Sequence, residues 1–130
     1  MNAFETINDL RDVLNEDVQA YARIARDHYR DLAGEANCNS QRLDYRAKAE
    51  RAQALWWVHQ SETWAEMAEN ARNRTYGELA ENHFDARERD IEAENTAARA
   101  DLCFDRSVYY AAESDIAKED EERQLAADEE

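Results

Sequence analysis

Proline is absent from this chain, and glycine occurs only twice, at Gly34 and Gly77. Average usage would supply about six prolines and nine glycines in this length. These two residues punctuate turns, strands and tight loops. A chain that lacks them and is rich in Ala, Glu, Arg, Leu and Gln has helix as its dominant state. Runs of alternating Val, Ile, Thr and Tyr, which would mark strands, are missing. The expected fold class is all-α in one helical domain.

Apolar spacing divides the chain into three long helices. Phe4, Ile7, Leu14, Val18, Tyr21, Ala25, His28 and Leu32 fall on steps of three and four, interrupted by Arg11. That rhythm lines one face of a helix. Leu10, Val13 and Ile24 widen the stripe, and Gly34 is placed to end the helix. Glu35 to Asn39 reads as a loop. Asn39 or Ser40 can cap a second helix. Its stripe is Leu43, Ala47, Ala54, Trp57, Trp64, Ala68 and Ala71. Thr63-Trp64-Ala65-Glu66 has capping-box spacing and marks a candidate kink. Asn70 to Arg74 reads as the next turn, and Thr75-Tyr76-Gly77-Glu78 as a second capping box.

The third helix has a looser stripe of Tyr76, Ala80, Phe84, Ile91, Ala98, Leu102 and Tyr109. A break near Asp105 or Ser107 would create a short fourth helix. The near-heptad stripes suit an antiparallel bundle or a coiled-coil-like arrangement. Residues 1–118 are expected to form the helical domain. Residues 119–130 hold one large apolar residue, Leu125, and are expected to form a mobile acidic tail.

Few patterns of catalytic chemistry are present. Two isolated glycines cannot build a phosphate-cradling loop. His28, His59 and His83 lie far apart, with neither Glu-x-x-His nor His-Glu-x-x-His spacing. No metal site and no cofactor are expected, and the chain reads as a non-enzyme. Cys38, flanked by Asn37 and Asn39, is the one exposed nucleophile candidate, and with Cys103 it forms no CxxC pair. The first residues lack the basic and apolar regions of a signal peptide. No apolar run approaches the ~18 residues that cross a bilayer. The expected location is the cytoplasm, with no membrane partner.

Charge supplies the functional clue. Asp and Glu number 31 against 16 Lys and Arg, a net charge of −15. Residues 75–130 carry 18 acids and 6 bases, which leaves −12 on that stretch. Within it, Glu78, Glu81, Asp85, Glu88 and Glu92 follow steps of three and four. On a helix they form one row, with carboxylates about 5 Å apart along the axis. Such a row either keeps a face solvated or stands in for the phosphates of a nucleic-acid strand. The arginines of the first two helices form only local strips, and the global field repels a polyanion, so direct nucleic-acid binding is not expected. Trp57 and Trp64 share a face. Trp56 lies about 100° round from Trp57, which leaves it for a second helix, a dimer interface or a partner.

Size, the −12 field, the Glu78 to Glu92 row and the Glu119-Asp120-Glu121-Glu122 run give a general resemblance. The chain looks like the small acidic helical proteins by which phages and other mobile elements block host nucleases, restriction enzymes or CRISPR complexes. No diagnostic motif carries that resemblance to one family. It implies a non-catalytic inhibitor, in a host-cell cytoplasm, of a basic host protein or nucleoprotein complex. Its partner-binding residues would be Glu78, Glu81, Asp85, Glu88, Glu92 and Trp56, on a chain that forms a homodimer. The alternative is a helical oligomerisation module whose charge serves solubility alone.

Overall fold

A computed structural model describes residues 18–129, which fold into three helices. They are α1 (Val18–Glu35), α2 (Asn39–Arg72) and α3 (Leu79–Glu129). The expectations for Phe4, Ile7, Leu10, Arg11, Val13 and Leu14 lie outside the described residues. No strand occurs among the described residues. At a rise of ~1.5 Å per residue, α3 is a rod of about 76 Å.

The helices form an open layer with α2 in the middle. Both α1 and α3 pack on α2 and scarcely touch one another. The α1–α2 contact is built around Tyr29, which is 1% exposed. Ala22, Ala25, Ala49, Ala52 and Leu55 close around it, with Tyr21, Leu32, Tyr45 and Trp56 at the edge. The Tyr29 ring stacks on Tyr45 at 6.2 Å between centroids. Lys48 Nζ lies 5.9 and 5.8 Å from the two ring centroids, where the ring faces attract a cation. The buried stripe of α1 is rotated from the expected one, so His28 and Ile24 point to solvent. Large residues there would have to fit beside Tyr29; alanines fit instead.

The α2–α3 contact has another character. The side of α3 that faces α2 is Asn82, Ala86, Ala93, Thr96, Ala100, Cys103, Ser107, Ser114 and Ala117, spaced by threes, fours and their sum. On α2 it meets Ala47, Ala54, Ala68 and Ala71. Small side chains on both helices favour the short end of the ~8–10 Å interaxial range. Polar bonds stitch the seam along its length. Ser114 Oγ donates to the Ser40 carbonyl (2.7 Å), Arg51 Nε to Ser107 Oγ (3.0 Å), Ser61 Oγ to the Ala93 carbonyl (2.9 Å) and Arg89 to the Met67 carbonyl (2.9 Å). One residue number rises as the other falls, the mark of antiparallel helices.

Three local expectations need correction. α2 runs unbroken past Ser61 to Thr63, because Ser61 bonds across to α3 and Thr63 Oγ1 bonds back to the His59 carbonyl. α3 begins at Leu79 and not at Thr75, because Gly77 adopts φ +81° and turns the chain out of the helical path. Buried Asn82 holds that turn by donating from Nδ2 to the Tyr76 carbonyl. α3 also continues past Asp105, Ser107 and residue 118 as one helix to Glu129. Residues 119–129 are therefore helical, and Glu121 is tied into the fold. Its carboxylate accepts from Ser40 N at 3.0 Å and from Ser40 Oγ at 2.6 Å. The N-cap residue Cys38 makes no side-chain cap bond. Glu121 thus caps α2 from 81 residues away, where Asn39 or Ser40 was expected to do so locally.

Candidate functional site

The large apolar residues of the third stripe do not face the core. Phe84, Ile91, Leu102 and Tyr109 are all exposed, on the side of α3 turned away from α2. The small-residue seam described above occupies the buried side. α3 therefore presents an apolar outer face, with an acidic edge between that face and the seam.

The acidic edge holds the expected row. Glu78, Glu81, Glu88 and Glu92 are exposed and make no ion pair among the described residues. Asp85 differs from them. It is half-buried, and its carboxylate accepts from Arg74 Nη1 at 2.9 Å. Arg74 in turn lies 5.8 Å from the Tyr76 ring centroid. Asp90, on another side of the helix, is paired with Arg72. Arginines of the α2–α3 turn thus neutralise two acids and leave four carboxylates along the edge. A shallow hollow of about 260 Å³ lies beside them, lined by Trp64, Asp85, Glu88, Arg89 and Glu92.

Trp56 is placed elsewhere. It is half-buried against the α1–α2 cluster and stands edge-on to Trp57, with ring centroids 4.5 Å apart. Its Nε1 is buried without a hydrogen-bond acceptor among the described residues. Trp57 and Trp64 are also half-buried, and the Arg99 guanidinium covers Trp57 at 4.8 Å. The structure brings Glu81, Asp85, Glu88 and Glu92 together on α3, with Glu78 just before its first residue. It puts Trp56 between α1 and α2.

A second concavity escaped sequence reading. Arg30 of α1 and Arg42 and Arg46 of α2 line a cleft of about 460 Å³ with Ala33, Gly34, Ala49, Glu50 and Tyr110. Arg46 lies 5.9 Å from the Tyr110 ring centroid, and Arg42 bonds Asn39. Among the described residues, no carboxylate forms an ion pair with these three arginines. The cleft is a basic spot on an acidic molecule, partly offset by Glu50. Its residues come from three helices, so no local motif could have revealed it.

Two titratable groups are shifted. Burial, reinforced by the nearby Glu50 carboxylate, pushes the Cys103 thiol up, which keeps it protonated at neutral pH. The bonds from Ser40 hold Glu121 below the ordinary carboxylate value. Cys38 is exposed, with Ser40 Oγ at 3.5 Å. No group of three or more His, Cys, Asp and Glu arranged to hold a metal occurs among the described residues. No described helix is long and apolar enough to cross a membrane. Comparison with protein-family models, curated proteins and solved structures returns no match to this chain.

Proposed function

We propose that this chain is a non-catalytic binding protein that docks the acidic edge of α3 onto a basic surface of another protein. The observation behind this reading is the unpaired row of Glu81, Glu88 and Glu92 on one edge of α3, with Glu78 just before its first residue. With Asp85 paired to Arg74, the remaining carboxylates stand roughly 5, 10 and 6 Å apart along the axis, a row that suits a groove that otherwise holds a phosphate backbone. The target class is a nucleic-acid-binding protein or nucleoprotein complex. A host nuclease, restriction enzyme or CRISPR complex fits that description, met in the cytoplasm by an inhibitor of the mobile-element type. Binding then competes with nucleic acid and weakens with salt, because exposed charges are screened beyond ~8 Å at physiological ionic strength.

The test is capture of the target at low and high salt with the native chain and with Glu81→Lys/Glu88→Lys/Glu92→Lys. Asp85 is left alone, because breaking its pair with Arg74 would disturb the turn as well. Loss of binding with an unchanged helical CD spectrum supports the reading. Binding that survives both the triple reversal and high salt removes it.

A second reading, a helical assembly module, is favoured by a different observation. The outer face of α3 leaves Phe84 63% and Tyr109 61% exposed. Aligned large apolar residues on a helix facing water are the usual mark of an interaction surface. The two readings overlap, because Glu81 and Glu88 border the apolar row; a chain paired through its outer face covers part of the acidic edge.

A further inference from the structure

Six apolar positions run along the outer face of α3: Phe84, Ile91, Ala98, Leu102, Tyr109 and Ile116. All six are exposed. Their spacing is seven, seven, four, seven and seven, which reads the same from either end. In heptad terms the first three sit at d and the last three at a, and the seam changes over between Ala98 and Leu102. The row spans about 48 Å at ~1.5 Å per residue.

When two identical helices pair antiparallel, each a position meets a d position of the other copy. A row that is apolar at d in its first half and at a in its second half is therefore complementary to itself, but only in the antiparallel sense. We infer that two copies of this chain associate through this face, α3 against α3, with a two-fold axis at the level of residue 100. Phe84 then meets Ile116 of the second copy, Ile91 meets Tyr109, and Ala98 meets Leu102. Each contact occurs twice, as an isologous interface requires. The inference rests on the assembly reading and goes beyond the acidic-edge proposal.

The polar members of the same seam select the direction. They are Glu81, Glu88 and Asn95 at a, and Asp105, Ala112 and Glu119 at d. A parallel, in-register pair would stack Glu81, Glu88, Asp105 and Glu119 each against its own copy, four like-charge layers. The antiparallel pair sets Glu88 against Ala112 and Asn95 against Asp105. It leaves one like-charge layer type, Glu81 with Glu119, at the solvated ends. Like charges directly opposed are destabilising, so the parallel form is the one penalised.

The flanking charges are mixed. Arg87 comes beside Asp115 of the second copy on one side, and Glu92 beside Arg106 on the other. Asp85 faces Glu113, but Arg74 already neutralises Asp85. Asp101 on one side and Arg99 on the other each meet their own copy near the axis and are the unfavourable contacts there, although Arg99 already lies over the Trp57 ring. The buried area is that of a small interface. Large side chains offer roughly 150–200 Å² each, and the five here are about half-exposed, which gives on the order of 500 Å² per copy. The flanking alanines and charged stems lie along the same 48 Å and bring the face toward the ~800 Å² per partner of a stable interface.

Sedimentation at micromolar concentration and cysteine cross-linking test this together. The native chain is expected to sediment as a dimer. Leu102→Glu removes two seam residues at once by symmetry and is expected to weaken the dimer roughly 100-fold or more. Its helical CD is unchanged, because Leu102 is exposed in the single chain. Asp101→Asn is expected to tighten the dimer roughly twofold. For register, Ile91→Cys and Tyr109→Cys are made separately in a Cys38→Ser background; Cys103 is buried. Disulfide-linked dimers are expected when the two proteins are mixed, and not from either alone. A monomer at these concentrations overturns the inference and the assembly reading together. A dimer that ignores Leu102→Glu, or one that links Ile91→Cys to itself, overturns this face or this direction while leaving assembly intact.

Discussion

The two faces of α2 hold their neighbours by different means. Toward α1, one ring carries the contact: Tyr29 is enclosed by alanines and stacked on Tyr45. Toward α3, no large side chain is fully buried. A long seam of Ala, Ser, Thr and Cys is stitched by single hydrogen bonds far apart along the helix. The first contact concentrates its stability in one place, and the second distributes it. A concentrated contact fails when one residue is lost. A distributed one tolerates deletions but not insertions of bulk, because small side chains set the distance between the helices.

The largest expected effect is at the concentrated contact. Tyr29→Ala opens a cavity among Ala22, Ala25, Ala52 and Leu55 and should cost about 3–5 kcal/mol. Urea unfolding followed by CD measures it. A cost under about 1 kcal/mol would mean that α1 is held by something other than this cluster.

The next effect separates the two contacts by sign of volume change. Ala100 is buried in the seam, and Ala100→Leu should cost about 1–3 kcal/mol by overpacking. Ser114→Ala removes one stitch and should cost only about 1 kcal/mol. The same unfolding assay ranks them. If Ser114→Ala proved costlier than Ala100→Leu, the seam would depend on its hydrogen bonds more than on close approach. Phe84→Ser, on the outer face of the same helix, should leave the unfolding of the single chain nearly unchanged, since that ring is already in water.

That contrast explains what could be read from residues alone. The all-α class followed from missing Pro and Gly, and the ends of α2 from the loop residues around Asn39 and Asn70. The acidic row was legible because Glu at steps of three and four on a helix has one geometric outcome. The face of α3 that is buried was not. Reading by size favours Phe84, Ile91 and Tyr109, whereas the seam selects Ala86, Ala93, Ala100 and Ser107, whose equally regular spacing is overshadowed. Trp56 was legible as surplus to one face, yet only the docking of α1 assigns it a place. Asp85 could not be told from Glu88 without the turn that brings Arg74 to it. The basic cleft needs Arg30, Arg42, Arg46 and Tyr110 from three helices at once.

The smallest expected effect tests how far the stitching reaches. Glu121 caps α2 through Ser40, and its pKa is lowered from the ordinary 4.5, chiefly by the Ser40 side-chain and backbone bonds. A carboxyl depressed in the folded state adds stability that is fully present above its unfolded pKa and is lost as pH falls through the folded value. Glu121→Gln should therefore lower the melting temperature slightly at neutral pH, and the difference from the native chain should shrink below about pH 4.5. Subtracting the two curves matters, because the other acids titrate in the same range and their neutralisation relieves the self-repulsion of a −15 chain. A difference that stays constant across that range would mean that the bond geometry, and not the charge on Glu121, stabilises the start of α2. The seam would then reach the last turns of α3 through hydrogen bonding to Ser40 alone, as it does at Ser114 and Arg89.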